Sequence, residues 1–173
     1  MRTILRDKPE IELLDGRRYP KVSPKRTHSL VQGNVLLMLM RCAANRGEAG
    51  PEWRCHVDAG TELVPDVSYY SYERLHSLSA DKREEPPFAP DIAVEVRSPS
   101  NRKLYDAQKF AAYLDHGAML VLDIDPASRT VYAHARGAGV RTFLETQTFA
   151  HESIPWLRFE VAELFARLNP PER

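Results

Sequence analysis

Between Thr27 and Ala44 the residues Leu30, Val31, Asn34, Val35, Met38, Leu39 and Cys42 recur at three- and four-residue intervals. That spacing puts one face of a helix against a core. Ser23-Pro24 fits the start of this helix, and Asn45-Arg46-Gly47 fits its end. Before it, the stretch from Ile11 to Tyr19 alternates weakly around Asp15-Gly16, which predicts a short hairpin. After it, strands are predicted near Trp53 to Val57, Asp66 to Tyr70 and Asp91 to Arg97. The stretch from Tyr72 to Pro90, with Glu84-Glu85-Pro86-Pro87, predicts a loop. A second helix is expected from about Arg102 to His116, with Leu104, Ala107, Ala111 and Leu114 as its core stripe and Gly117 as its stop. Ala118 to Ile124 then reads as a fully buried strand, Asp125-Pro126 as a turn, and Arg129 to Ala135 with Arg141 to Glu145 as a hairpin. A short strand and a helix over Val161 to Leu168 complete the pattern.

One strand breaks the apolar rule. From Pro90 the chain reads Asp-Ile-Ala-Val-Glu-Val-Arg-Ser, so Asp91, Glu95 and Arg97 share one face and Ile92, Val94 and Val96 the other. A strand between helical segments is ordinarily apolar throughout, so three charges along it call for a polar cleft, a metal or a structural partner. A second Pro-Asp, Pro65-Asp66, opens the preceding strand. At ~3.3 Å per residue, Asp91 and Glu95 stand roughly 13 Å apart on one strand and cannot ligate the same ion. Asp66 is the better partner for Glu95: neighbouring strands lie ~4.8 Å apart, and two carboxylates with the backbone carbonyl of Val96 would suit a hard cation such as Mg²⁺. Asp91 would then sit at the mouth, positioning water or a second ion. The ordinary alternatives are strand-entry turns for the two Pro-Asp pairs, an ion pair with Arg97 or Lys109 for Glu95, and a surface pair with Asp106 for Lys109.

Composition narrows the setting. At 173 residues and 43% hydrophobic, the chain supports one core and is expected to form a single domain. Net charge is zero, so any nucleic-acid contact must use local patches. Two such patches exist: the first 26 residues carry eight Lys/Arg against four Asp/Glu, and Arg97, Arg102, Lys103 and Lys109 face one acid, Asp106. Cys42 and Cys55 lack metal or disulfide spacing, and the six histidines show no zinc pairing, so two buried free thiols and no zinc are expected. No apolar run reaches the ~20 residues of a membrane span, which favours a soluble, cytoplasmic protein without a membrane partner.

Several blocks together resemble a known family: Glu-Leu-Leu-Asp-Gly at 12 to 16, Ser23-Pro24 with His28, Val64-Pro65-Asp66-Val67, and Asp91-Ile-Ala-Val-Glu95-Val-Arg-Ser-Pro-Ser100. Lys109 with Tyr113 and Gly117, Asp125-Pro126 and the ending from Ile154 to Phe165 complete the set. The sequence resembles the Uma-two restriction endonuclease family of the PD-(D/E)XK nuclease superfamily. The resemblance implies an α/β, restriction-endonuclease-like core with a mixed central β-sheet flanked by helices. It implies Asp66 and Glu95 as metal carboxylates, Asp91 in the adjoining polar set, and Lys109 as a catalytic lysine moved from the strand to the next helix, since Arg97 stands at the superfamily lysine position. The expected activity is Mg²⁺-dependent hydrolysis of phosphodiester bonds, with Mn²⁺ as substitute, nucleic acid and foremost DNA as partner, and Arg97, Arg102 and Lys103 on the phosphate backbone. A homodimer is compatible with this reading. The alternative is a catalytically inactive nuclease-like module for binding or assembly.

Overall fold

The computed structural model describes residues 11–21, 24–98 and 103–169, with the backbone alone for Lys103 and Leu104. The chain opens with the expected hairpin, β1 (Ile11–Leu14) and β2 (Arg17–Pro20), turned through Asp15 and Gly16 at φ 50° and 74°. Positive φ at both central residues is the type I′ geometry that matches strand twist. Helix α1 (Arg26–Ala43) follows, burying Val31, Val35, Met38, Leu39 and Ala43. Of the proposed Ser23-Pro24 start, Ser23 lies outside the described residues and Pro24 precedes the N-cap, Lys25. At the far end Ala44, rather than Gly47, takes the left-handed conformation. Gly47 instead begins β3 (Gly47–Pro51), where a Cβ would stand 2.1 Å from the Tyr70 carbonyl oxygen.

Strands β4 (Cys55–Asp58), β5 (Thr61–Leu63) and β6 (Val67–Ser71) lead to two five-residue helices, α2 (Tyr72–His76) and α3 (Ala80–Glu84). These correct the loop expected from Tyr72 to Pro90: the prolines sit after α3, leaving Ser71 and Ser79 free to start short turns. Strand β7 (Ile92–Val96), helix α4 (Lys103–Asp115) and β8 (Leu120–Asp125) form a parallel crossover, with Gly117 at φ 108° ending the helix. Hairpin β9 (Thr130–His134) and β10 (Arg141–Leu144) comes next, then β11 (Thr148–His151), β12 (Ile154–Glu160) and a 3₁₀ turn over Val161–Phe165 where an α-helix was expected.

The central sheet is six-stranded in the order β10-β9-β8-β7-β6-β3, mixed because β7 and β8 are parallel and the rest antiparallel. One face packs on α1 and β12 through Ile92, Val94, Val96, Leu120, Leu122 and Ile124. The other face, with Ala93 and Val121, packs on Phe110 and Tyr113 of α4 and on Leu14, Cys55 and Leu63 of the smaller sheet β2-β1-β5-β4. The face of α4 turned inward is not the expected one. Ala107 and Ala111 are exposed, while Lys109, Phe110 and Tyr113 are buried. Both cysteines are free.

Candidate active site

Strands β6 and β7 pair antiparallel with Val67 opposite Val94, and one further step of that register sets Asp66 opposite Glu95. Asp66 is 4% exposed and accepts the Val96 N–H at 2.8 Å on Oδ2. The same oxygen lies 3.0 Å from His28 Nε2 of α1, and Oδ1 lies 3.2 Å from Lys21 Nζ. Burial works against ionisation of Asp66, yet His28 and Lys21 outweigh it and hold the carboxyl well below its usual range. His28, quoted in the family blocks without a role, thus touches a candidate metal carboxylate.

Glu95 faces α4. Its Oε1 accepts the Tyr113 hydroxyl at 2.7 Å and sits 2.7 Å from Lys109 Nζ. Lys109 is 3% exposed and has a second carboxylate at the same 2.7 Å, Oε1 of Glu12 on β1. Glu12 also accepts the Val64 N–H at 2.8 Å and the Tyr105 hydroxyl at 2.7 Å. Tyr105, Lys109 and Tyr113 are spaced by four, so one helix face carries three polar-tipped side chains into this set. Burial opposes the charge on Lys109, but Glu95 and Glu12 overcome it and raise its pKa well above the ordinary value. Burial, with Asp66 and Glu12 adding repulsion against the pull of Lys109, pushes the Glu95 carboxyl up to about 7.

Glu12, His28, Asp66, Glu95, Tyr105 and Lys109 line a cleft of about 940 Å³ that also includes Tyr19, Lys25, Arg97 and Asp125. Tyr19 and Tyr105 stack at its wall with centroids 4.1 Å apart. Arg97 stands at the rim, its Nε donating to Asp123 Oδ1 at 2.8 Å, its Nη1 3.5 Å from Asp125 and its guanidinium 4.4 Å over the Tyr132 ring. The strand position thus holds a guanidinium fixed to two β8 carboxylates, and the amine that meets Glu95 comes from α4.

Asp91 stands apart from these residues. It lies at the opposite end of β7, where Oδ2 accepts the Ser71 N–H at 2.6 Å and Oδ1 the Arg74 guanidinium at 2.9 Å. Its distance along the strand from Glu95 leaves it outside the cleft, in a clasp that joins α2 to β7. Arg102 lies outside the described residues, as does the side chain of Lys103.

Glu12, Lys21, Tyr105 and Asp123 carry site contacts that the sequence reading did not assign. Glu12 had a signal, since it opens the Glu-Leu-Leu-Asp-Gly block, and Tyr105 flanks Lys109 by one helical turn. Asp123 had one too, as the charged position within the strand read as fully buried.

Among the described residues, no three His, Cys, Asp or Glu side chains are placed to hold a metal ion. The donor chemistry still fits a hard cation that keeps several waters: two carboxylates face one cleft, and Glu95 is held back from ionising by burial and, after it, by like charges that a cation would offset.

A mixed sheet with α4 crossing between its parallel strands, and an acidic pair with a buried lysine at one end, define a restriction-endonuclease-like α/β protein. The family model "Uma2: Putative restriction endonuclease" matches residues 2–162, and the chain belongs to this family. A solved structure described as a putative nuclease belonging to DUF820, from Anabaena variabilis, superposes with a TM-score of 0.80 at 22% identity. It covers 91% of this chain and 90% of that one. A search of curated proteins finds no match.

Proposed function

We propose that this chain is a divalent-metal-dependent nuclease that hydrolyses phosphodiester bonds in nucleic acid, with DNA as its substrate. The observation that carries this reading is the meeting of Asp66, Glu95 and Lys109 at one cleft from three separate places in the fold, the entry to β6, strand β7 and helix α4. Asp66, Glu95 and the Val96 carbonyl would hold Mg²⁺ or Mn²⁺. When bound, the ion supplies Lewis-acid polarisation of the phosphoryl group and a more acidic water. Lys109, kept protonated by its two glutamates, is unsuited to take a proton and stabilises negative charge building on the phosphate oxygens. Tyr113 fixes one oxygen of Glu95, leaving the other toward the cleft. Arg97 at the rim, together with Arg102 and Lys103, would contact phosphates, which positions substrate without reading bases.

The saturation of Asp66 by Lys21, His28 and the Val96 N–H favours a second reading, a nuclease-like module that binds without cutting. Purified protein assayed on single- and double-stranded DNA and RNA, with Mg²⁺, Mn²⁺, Ca²⁺ or EDTA, separates the two. Cleavage is expected with Mg²⁺ or Mn²⁺, absent in EDTA and lost in Glu95→Ala. Cleavage that survives in Glu95→Ala, or none on any substrate, moves the assignment to the binding module.

A further inference from the structure

Glu12 and Glu95 grip the same ammonium, each with one oxygen 2.7 Å from Lys109 Nζ, yet they are built differently. Glu12 is 3% exposed and both its oxygens are engaged, Oε1 by Lys109 and the Val64 N–H, Oε2 by the Tyr105 hydroxyl. It is anchored from a strand end and a helix at once and has no oxygen left for a ligand. Both glutamates line the cleft, but Glu95 makes both its contacts through Oε1, and its Oε2 accepts no hydrogen bond among the described residues. With each group in its charged form, one ammonium between two carboxylates leaves one negative charge, and the anchoring leaves it on the Glu95 side. Were Glu12 neutral, Lys109 would cancel Glu95 outright.

We propose that Glu12 is a positioning residue of this site: a buried counter-anion that offsets Lys109, so that the ammonium does not cancel the negative charge the cleft presents to a divalent cation at Glu95. The inference rests on the nuclease reading and deepens it. Glu12 touches neither cation nor nucleic acid and acts only through Lys109. The second glutamate thereby resolves a conflict in the design, because a lysine close enough to serve the chemistry is also close enough to consume the carboxylate beside it.

Calorimetric titration of Mn²⁺ into the wild-type chain, Glu12→Gln, Lys109→Met and the double variant tests this without any activity readout. Glu12→Gln is expected to weaken Mn²⁺ binding on the order of tenfold or more, the size of one unit charge acting over several ångströms in a half-buried site. Glu12→Gln/Lys109→Met is expected to restore binding close to wild type, because the ammonium that competed for Glu95 is gone. A merely structural role for Glu12 would give no such rescue. If Glu12→Gln alone does not fold, Lys109→Met against the double variant makes the complementary comparison: with the ammonium gone the two should bind Mn²⁺ alike, and a markedly weaker double variant overturns the inference because Glu12 would then act other than through Lys109. Wild-type binding that is unchanged in Glu12→Gln, or a folded double variant without restored binding, overturns this inference alone. No Mn²⁺ binding by the wild type overturns the nuclease reading together with it.

Discussion

Strand β7 has an acid at each end, and the two have opposite surroundings. At the start, Asp91 is closed in: Ser71 and Arg74 take one carboxylate oxygen each, its backbone carbonyl accepts the N–H groups of Met119 and Leu120, and Arg74 lies 4.2 Å over the Phe88 ring. Four residues later Glu95 has one oxygen committed and a cleft beside it, with Asp66 and Glu12 near enough to raise its pKa. The difference lies in the partners. A guanidinium with a backbone N–H satisfies an acid fully, whereas an amine shared with a third carboxylate leaves the set short of positive charge. The closed end ties α2 and the entry to β8 to the start of β7, and the open end is where chemistry has room.

The sharpest way to break this contrast is at the closed end. Asp91→Ala would leave a partly buried guanidinium and the Ser71 N–H without their acceptor, a loss of about 3–5 kcal/mol on the scale of broken buried pairs. Urea denaturation should show the fall in midpoint, while cleavage per folded molecule at low temperature stays at wild type. A selective loss of turnover with stability intact would return Asp91 to the chemistry.

At the open end the expected loss is catalytic. The double variant Glu12→Gln/Lys109→Met, balanced in charge, should keep its fold and Mn²⁺ binding yet cleave slower by a factor of ~10² or more, as for a missing electrostatic group. Near wild-type cleavage in that variant would remove Lys109 from the mechanism.

Divalent ion should stabilise the native state by mass action, ~2.7 kcal/mol at a hundredfold excess over the dissociation constant, and less in Glu95→Gln. The pH dependence has a definite sign. Glu95 has a folded pKa near 7 against 4.5 for the free group, so from about 4.5 to 7 the unfolded chain gives up a proton that the native state keeps. Native stability contributed by this group therefore falls as pH rises through that window. An ion favours the ionised carboxylate, so the Mg²⁺-induced rise in Tm should be larger at pH 8 than at pH 6. The reverse order would contradict the assignment of Glu95 as ligand.

The open end was half legible in the sequence. Asp66 and Glu95 declared themselves because an acid within or entering an apolar strand has few innocent explanations, and β7 kept the predicted alternation, with Ile92, Val94 and Val96 together in the α1 core. Glu12 stayed hidden because nothing local buries it: its contact with Lys109 spans most of the chain and exists only once the small sheet has closed over α4. The stripe on α4 was misjudged for a related reason. Alanines at helical spacing resemble a core face, but the inward face here carries Tyr105, Lys109, Phe110 and Tyr113, whose apolar parts pack in the core while distant glutamates satisfy the polar tips of the tyrosines and the lysine. Parity places Asp91 on the same face as Glu95 and spacing sets the two apart along the strand, but the clasp with Ser71 and Arg74 that occupies Asp91 is invisible in the sequence.

The smallest expected effect is at Arg97, just beyond the open end of β7. Its guanidinium is held by Asp123 and Asp125 and stacked over Tyr132, and its side chain is 37% exposed, so a phosphate would share it with two acids. Hydrogen bonding to Asp123 raises its pKa further, which fixes it as a cation and bars it from acting as a base. Arg97→Ala should therefore weaken nucleic-acid binding several-fold and reduce the slope of log affinity against log salt by about 1, the signature of one lost phosphate contact. The rate at saturating substrate should change little, measured well below the melting temperature because Asp123 loses its partner. Binding assays from low to moderate salt, beside single-turnover rates, resolve the two quantities. A collapsed rate with the salt slope unchanged would place the strand guanidinium, rather than the helix ammonium, at the reacting phosphate.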